Sequence, residues 1–595
     1  MTVARTERTI DIAGLALVVL LAGALPLIVL PGAVADDTDI LPKVLSTRLV
    51  VLALALLWAA RCALSGSLRW RRTPLDHPVL ALVLSASLST ALSVNTPLSL
   101  FGAYTRYEGL ITICTYAALF WLAAQFVGEP QRARWLLRAM LAGAVIECVV
   151  ALSQEIGASA SGDLAVYGES ATTFGGVARA IGTMANANNL AIWLAMLIPV
   201  GVYEAVDVRP VWGRLAAAGT TLLMVATLIV TFGRSAWIGA GLGLVVVCVL
   251  TVGRLRSRRR LVIGAGAVVV AAACCIGLGT VALRLEWPVI APAYQRVLSL
   301  ANPGSGSGGV RLHLYEDAVH VVAGRPLIGY GPDTFGLVSP SRSSGDWTHG
   351  IVVDKAHSDI LQVAVTQGAL GAAAYIWLLG AAAVMLTRSR DRRGIPAIAG
   401  AVVAYVAAIS LNFAWFPVTA PFWLVLVAGV ALGERTHLGR RPLRFNAAAR
   451  AGGLATAVAV CALATAWSSV RPGLANAHYA RALAHWSAGN RAAALTEVGS
   501  ARADDPGMSE YAAFQGDLEA DLAGDRPGPD ANLTAARRAY ETALGDGDIY
   551  PAVAIRLVFV DVALGDRAGA LAAARAASAL DPYGQAVKLI AELGG

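Results

Sequence analysis

The chain has 595 residues, 57% hydrophobic and only 14% charged, where an ordinary soluble protein carries about 25% charged residues. The deficit sits in apolar runs of about 20 residues, the length that crosses a bilayer as helix, which excludes a soluble globular chain. The net charge of +8 comes from arginines gathered between those runs, which follows the positive-inside pattern and excludes a nucleic-acid partner.

In chain order, the apolar runs predict about 12–13 spans, placed at 11–31, 46–64, 77–94, 108–127, 136–153, 186–205, 213–231, 236–252, 261–283, 359–386, 395–413, 415–433 and 450–468. Arg5 and Arg8 precede the first, and Ala33-Val34-Ala35 follows it as a cleavage signal would; the length of the run favours a retained helix. Basic connections fall at 61–72, 132–138, 209–214, 254–260, 388–393 and 435–444, alternating with connections poor in arginine, the first of them the acidic ADDTDI at 35–40. This alternation predicts an all-α polytopic membrane protein with a cytoplasmic N-terminus. Only Lys43, Lys355 and Lys588 are lysines, a bias typical of a GC-rich bacterial genome, so the expected home is a bacterial cytoplasmic (inner) membrane. The seven cysteines lie in or beside apolar runs at no metal-ligand spacing, and neither a disulfide framework nor a zinc site is expected.

Two outer loops are long, at 154–185 and 284–357, and loops of that length are functional or disordered. ANPGSGSGG at 301–309 reads as linker. Beyond it, Leu312, Tyr315, Val319 and Val322 have helical spacing and predict an amphipathic helix over 310–323 near the membrane surface, ended by Gly324 and Pro326. Two domains follow: a membrane domain at 1–470 and an Ala-, Arg- and Asp-rich, soluble-looking domain at 473–595. The second holds an internal repeat, GNRAAALTEVGSARADDP from Gly489 and GDRAGALAAARAASALDP from Gly565, 76 residues apart. Small residues at helical spacing, a glycine turn and a closing proline are similar to tetratricopeptide repeats, which present a concave surface to a protein partner. An odd number of spans places this domain outside the cell.

An enzyme on the outer face has no nucleotide to drive it, so its energy must arrive with the substrate, and a lipid-linked pyrophosphate is the evident form. Such a site needs arginines, which hold phosphate oxygens in a bidentate fork, and a group to take the acceptor's proton, for which histidine is suited. The outer side supplies both. Arg234 lies in the short turn TFGRSAW, Arg311 opens the loop helix, and His357 lies in DKAHSDILQ before the next span. Arg179 in the first long loop and Arg106 near the fourth span fall at the same level. Asp354 or Asp359 would orient the imidazole. Outer arginines also snorkel to lipid headgroups, which is an even reading for Arg106, Arg179 and Arg325, and His313 and His320 read as plain helix-surface residues.

These motifs resemble the O-antigen ligase family and its polymerase-like relatives. GVRLHLYEDAVHVVAGRPLIGYGPDTF (309–335) is similar to the family's loop signature of an arginine, a helix and a P-L-I-G-x-G-P turn; AHSDILQVAVTQGALG (356–371) to its A-H-N-x-x-L…E-x-G-x-x-G segment; RAIGTMANANNLA (179–191), with Asn188, to R-x-x-G-T-x-x-N-P-N-x-x-A; TFGRSAW to a T-x-S-R turn; and YTRYEGL (104–110) to a further short element. The resemblance spans roughly 100–430. It implies a GT-C-like bundle and an inverting, metal-independent transfer, without cofactor, from an undecaprenyl-pyrophosphate-linked glycan donor to a glycan, lipid or protein acceptor. By motif, Arg234 and Arg311 would bind the pyrophosphate, His357 would activate the acceptor hydroxyl, and Arg179, Arg106, Asn188, Asp354 and Asp359 would contact the substrates. Ser358, Ala187, Gln367 and Gly233 stand where the family pattern has Asn, Pro, Glu and Ser, which leaves acceptor recognition open. A polysaccharide polymerase or a protein O-oligosaccharyltransferase would use the same donor chemistry. A lipid-linked glycan transporter would need charge inside the spans, for which Glu147 is the one clear candidate, and a membrane-anchored repeat scaffold would leave the loop motifs unused.

Overall fold

The computed structural model describes residues 2–68, 70–161, 173–174, 177–252, 290–299, 304, 307–347, 350–413, 415–433, 443–524 and 530–594. In hydrocarbon every backbone N–H and C=O must be satisfied within its own segment, so apolar runs close into helices. Among the described residues ten helices are long and apolar enough to cross a membrane, from Ala4–Leu27 to Ala447–Ser487, and each falls on an expected span. Two further expected spans, 77–94 and 395–413, are the 16-residue helices Asp76–Ala91 (α3) and Ile395–Ser410. The span expected at 261–283 lies outside the described residues. Helices pack on small residues: a side chain on Gly239 or Gly243 would strike the carbonyls of Ala404 and Gly400 at 2.4 and 2.5 Å, so these backbones touch directly.

The feature that shapes the outer half is a broken helix. Asp359–Arg388 is interrupted at Gly368, whose φ of 65° and ψ of −163° no side-chain-bearing residue adopts without strain. The backbone groups freed at the break are met by the turn Pro326–Gly331, which lies alongside like a strand. Tyr330 and Gly331 N–H donate to Val365 and Thr366 O at 3.1 and 2.8 Å, and Ala369 and Leu370 N–H donate to Pro326 and Leu327 O at 2.7 and 3.2 Å. The approach is so close that a Cβ on Gly329 would sit 2.5 Å from the Thr366 backbone, and one on Gly368 2.4 Å from that of Leu327. The helix Asp76–Ala91 and the turn that follows it complete the junction with serines spaced four apart: Ser85 Oγ donates to Gln367 Oε1 (2.9 Å), Ser89 Oγ to Thr366 O (2.6 Å) and, just past the helix end, Ser93 Oγ to Tyr330 O (2.9 Å).

The loop helix is Ser307–Gly324, where 310–323 was expected. Ala318 and Val321 are buried with Phe335, Ala356 and Val365, and Val322 of the expected stripe packs against them, whereas Leu312 and Val319 are 53% and 57% exposed. Ala318, too small to mark an apolar stripe, is what lets the helix lie close to Phe335. Glu147 is also accounted for: buried in Pro130–Ser161, it accepts from Thr183 N and Oγ1 at 2.7 and 2.6 Å, while Lys43 Nζ donates to Ile28, Asp39 and Thr183 O. Glu147 therefore anchors the segment that leads into Ala187–Asp207.

The rod Ala447–Ser487 leads without a break into three antiparallel helix pairs, Arg471–Ser487 with Arg491–Asp504, Ser509–Ala523 with Ala531–Gly545, and Pro551–Ala563 with Arg567–Leu580. The two copies of the sequence repeat are the second helices of the first and third pairs, capped alike by Asn490 on Ala493 N and by Asp566 on Gly569 N. This domain is fastened to the membrane domain. Asn476 Nδ2 donates to Tyr104 Oη (2.7 Å), Asp37 N to Asn476 Oδ1 (3.2 Å), Arg48 to Ser468 O (2.8 Å) and Asn95 Nδ2 to Gly545 O (2.9 Å).

The junction at the broken helix gives a direct test. Gly368→Ala should cost about 2–4 kcal/mol, since it adds both backbone strain and overlap with Leu327. Its apparent Tm in detergent should fall by several degrees, and the Ser89→Ala variant by less; an unchanged Tm for Gly368→Ala would contradict the geometry.

Candidate active site

His357 follows directly from this junction, in the segment that enters the broken helix. It is one of the few non-glycine residues with a left-handed backbone, φ 51°, of the kind that collects at functional sites. Tyr315 Oη, one turn along the loop helix from Arg311, donates to the His357 carbonyl at 3.0 Å. One helix face therefore both fixes the His357 backbone and sets Arg311 beside its ring. The imidazole packs edge-on to Phe413, 4.8 Å between centroids, and its Nδ1 has no hydrogen-bond partner among the described residues. Burial, and then the charge of Arg311, push this imidazole down to about 4, with Asp354 and the amide of Asn412 opposing only in part. At neutral pH it is an uncharged base with a free nitrogen.

Arg311 belongs to a group of four arginines drawn from four elements. Arg311 Nη1 donates to Leu411 O at 2.9 Å. Arg234 opens Arg234–Val252 and reaches Ser299 Oγ at 3.2 Å. The turn that carries it is tight: Phe232 has φ 53°, and a Cβ on Gly233 would lie 2.7 Å from that of Ala191, which explains why glycine stands where the resembled pattern has serine. Arg179 donates through Nε to Thr231 O (2.8 Å) and through Nη2 to Asn188 Oδ1 (3.0 Å), so Asn188 acts by holding Arg179. Arg296, on Ile290–Leu298, reaches Phe232 O at 3.4 Å. Burial and then mutual repulsion depress these groups: Arg179 falls to about 10 beside Arg296 and Arg311, Arg296 to about 10 beside Arg234 and Arg311, and Arg311 is lowered by burial and by Arg234. No carboxylate pairs with Arg179 or Arg311 among the described residues. Like charges gathered in a partly dry site are costly unless an anion joins them.

The remaining candidates stand apart from this cluster. Arg106 is paired with Asp354 and lies over the Trp415 ring at 4.0 Å. Burial alone would raise Asp354, yet Arg106 and Lys355 hold it below the usual carboxylate range. Asp359 accepts from Tyr375 Oη at 2.8 Å. Neither carboxylate hydrogen-bonds the imidazole, contrary to the expectation that one of them orients it. Next to them, Lys355 and Asp333 form a fully buried ion pair, and burial pushes the nearby Glu108 up to about 8. Among the described residues no three His, Cys, Asp or Glu side chains gather as metal ligands would.

Sequence reasoning missed Arg296 and Asn412. Arg296 ran against the positive-inside trend just as Arg234 and Arg311 do, and that signal could have found it. Asn412, 1% exposed with its amide beside the His357 ring, has no local signature. The arrangement can hold a multiply charged anion beside a neutral base. Inorganic pyrophosphate at a hundred times its dissociation constant should stabilise the folded chain by about 2.7 kcal/mol. A thermal-shift titration should show that gain shrinking at least severalfold in Arg311→Gln and persisting in Arg556→Gln; equal shifts in the two variants would contradict the site.

No curated protein matches the chain significantly. Residues 219–376 match the family model described as O-antigen ligase, a segment that holds Arg234, Arg296, Arg311, Asp354, His357 and Asp359. Over residues 219–376 the chain is similar to the O-antigen ligase family, which supports a role of the membrane glycosyltransferase and ligase type.

Proposed function

We propose that this protein transfers a glycan from an undecaprenyl-diphosphate-linked donor to an acceptor hydroxyl on the outer face of the bacterial cytoplasmic membrane, with inversion at the anomeric carbon. The observation that carries this reading is the placement of a neutral, free-nitrogen histidine against Arg311 in a group of four arginines. The lipid diphosphate would lie between the guanidinium groups. His357 takes the proton of the acceptor hydroxyl as its oxygen bonds to the anomeric carbon; the bond from that carbon to the diphosphate breaks, and the electron pair leaves on undecaprenyl diphosphate. The arginines stabilise the charge that grows on this leaving group. Asn188 and Tyr315 act as positioning residues, through Arg179 and the His357 backbone respectively. The helix pairs from Arg471 onward are proposed as tetratricopeptide-like, lying outside the cell with the site. Two basic connections, joined as the strand pair Ser67–Leu68 with Leu443–Arg444, would face the cytoplasm.

The charge balance also predicts how donor and base communicate. In the free site the arginines suppress protonation of His357; a bound diphosphate offsets their charge and raises the imidazole's basicity towards the working pH, where proton transfer is most effective. In the free protein the acid limb of kcat/KM should then lie near 4, below the 6.5 of an ordinary imidazole. The limb of kcat should lie at higher pH, because it reports the donor-bound state. A pH–rate series with purified protein checks the order of the two limbs, and coincident limbs would contradict the coupling.

His357→Ala and Arg311→Ala should each abolish glycan transfer while membrane insertion stays normal. The check is glycan product in cells lacking the native copy; wild-type yield from either variant would overturn the assignment.

A further inference from the structure

Between the outer face of the membrane domain and the concave side of the helix pairs lies a cavity of about 1010 Å³, at the upper end of the roughly 300–1,000 Å³ typical of small-molecule sites. The arginine group lies elsewhere, and the chemistry of this chamber is its opposite. Its walls carry aromatic faces, among them Tyr104, Trp415, Phe514 and Tyr550, interleaved with the carboxyls of Asp37, Glu510 and Asp548. The two cations that reach it, Arg106 and Arg556, are already paired with Asp354 and Asp517. Asp37 is 6% exposed; its Oδ1 accepts from Ile40 and Asp39 N–H, and its carboxyl lies against the Tyr107 hydroxyl, which fixes it at the edge of the chamber.

We propose that this chamber binds an uncharged oligosaccharide, the glycan portion of the reaction's acceptor, which rests on the transfer reading above. Aromatic faces take the apolar faces of pyranose rings, and side-chain carboxyls meet their hydroxyls. Burial disfavours charge on Asp37 and Glu510 and pushes Asp548 up to about 7, which suits hydroxyls better than cations. An anionic glycan would find carboxyls and no free guanidinium. The chamber also ends in the right place. Trp415 in its wall lies tilted against Phe413 at 5.6 Å, and Phe413 packs edge-on to His357, so a chain of two aromatic rings links the sugar wall to the base.

The test uses the full chain in nanodiscs, titrated with a panel of neutral hexasaccharides built on glucose, mannose, galactose or N-acetylglucosamine, and with hexagalacturonate. At least one neutral sugar should bind about tenfold more tightly than the polyuronate. Tyr550→Ala, at a half-exposed wall position, and Ala552→Trp, which fills the chamber from an exposed helix face, should weaken that binding at least fivefold. Arg311→Ala should leave it intact while losing transfer, which separates a failure of this proposal from a failure of the transfer reading. In turnover, Tyr550→Ala should raise KM for the acceptor and leave KM for the lipid-linked donor unchanged. Tighter binding of the polyuronate, binding unaffected by both chamber variants, or a KM effect confined to the donor would overturn it.

Discussion

The outer half of this protein is organised by a helix that has to break in a place where backbone polar groups cannot be left unmet. At Gly368 the chain departs from helical geometry, and the freed carbonyls and amides of 365–370 are matched by Pro326–Gly331 and by serine hydroxyls of α3. Only glycine at 329 and 368 permits the approach. Because the loop helix ends immediately before that turn, and His357 lies immediately before the broken helix, the same junction decides how Arg311 meets His357. A loop of more than seventy residues between two spans thereby presents His357 and Arg311 at a fixed separation.

Electrostatic segregation is the second organising theme. Arginines from four elements share one site in which burial, and then neighbouring arginine charge, depresses Arg179, Arg296 and Arg311, and no carboxylate relieves Arg179 or Arg311 among the described residues. Carboxyls and aromatic rings gather instead in the chamber under the helix pairs, with Arg106, paired to Asp354 and stacked on Trp415, at the boundary. Two compartments of opposite character suit two substrates of opposite demand, a diphosphate and a polyhydroxyl chain, that meet only at the base between them.

Much of the membrane architecture was legible in the sequence because it rests on local signals: apolar runs of span length, arginine alternation, and Gly324 with Pro326 to stop the loop helix. The inward face of that helix was not, because Ala318 buries well without being conspicuously apolar, while Leu312 and Val319 are apolar and exposed. The serines at 85, 89 and 93 repeat every four residues, a visible pattern whose meaning depends on a partner helix some 280 residues away in sequence. Of the site, Arg234, Arg311 and His357 stood out as arginines against the charge trend and a histidine at a span entrance. The pairing of Asp354 with Arg106 was hidden, since nothing local in DKAHSDILQ shows that a residue 248 positions earlier claims the carboxylate.

The central claim is that the arginine group receives the lipid diphosphate with His357 at its edge. A cryo-EM reconstruction of the full chain in nanodiscs with undecaprenyl diphosphate tests this most directly. The account predicts diphosphate density bounded by the guanidinium groups of Arg179, Arg234, Arg296 and Arg311. Density at Arg106 and Arg556 instead, with the four-arginine site empty, would contradict it.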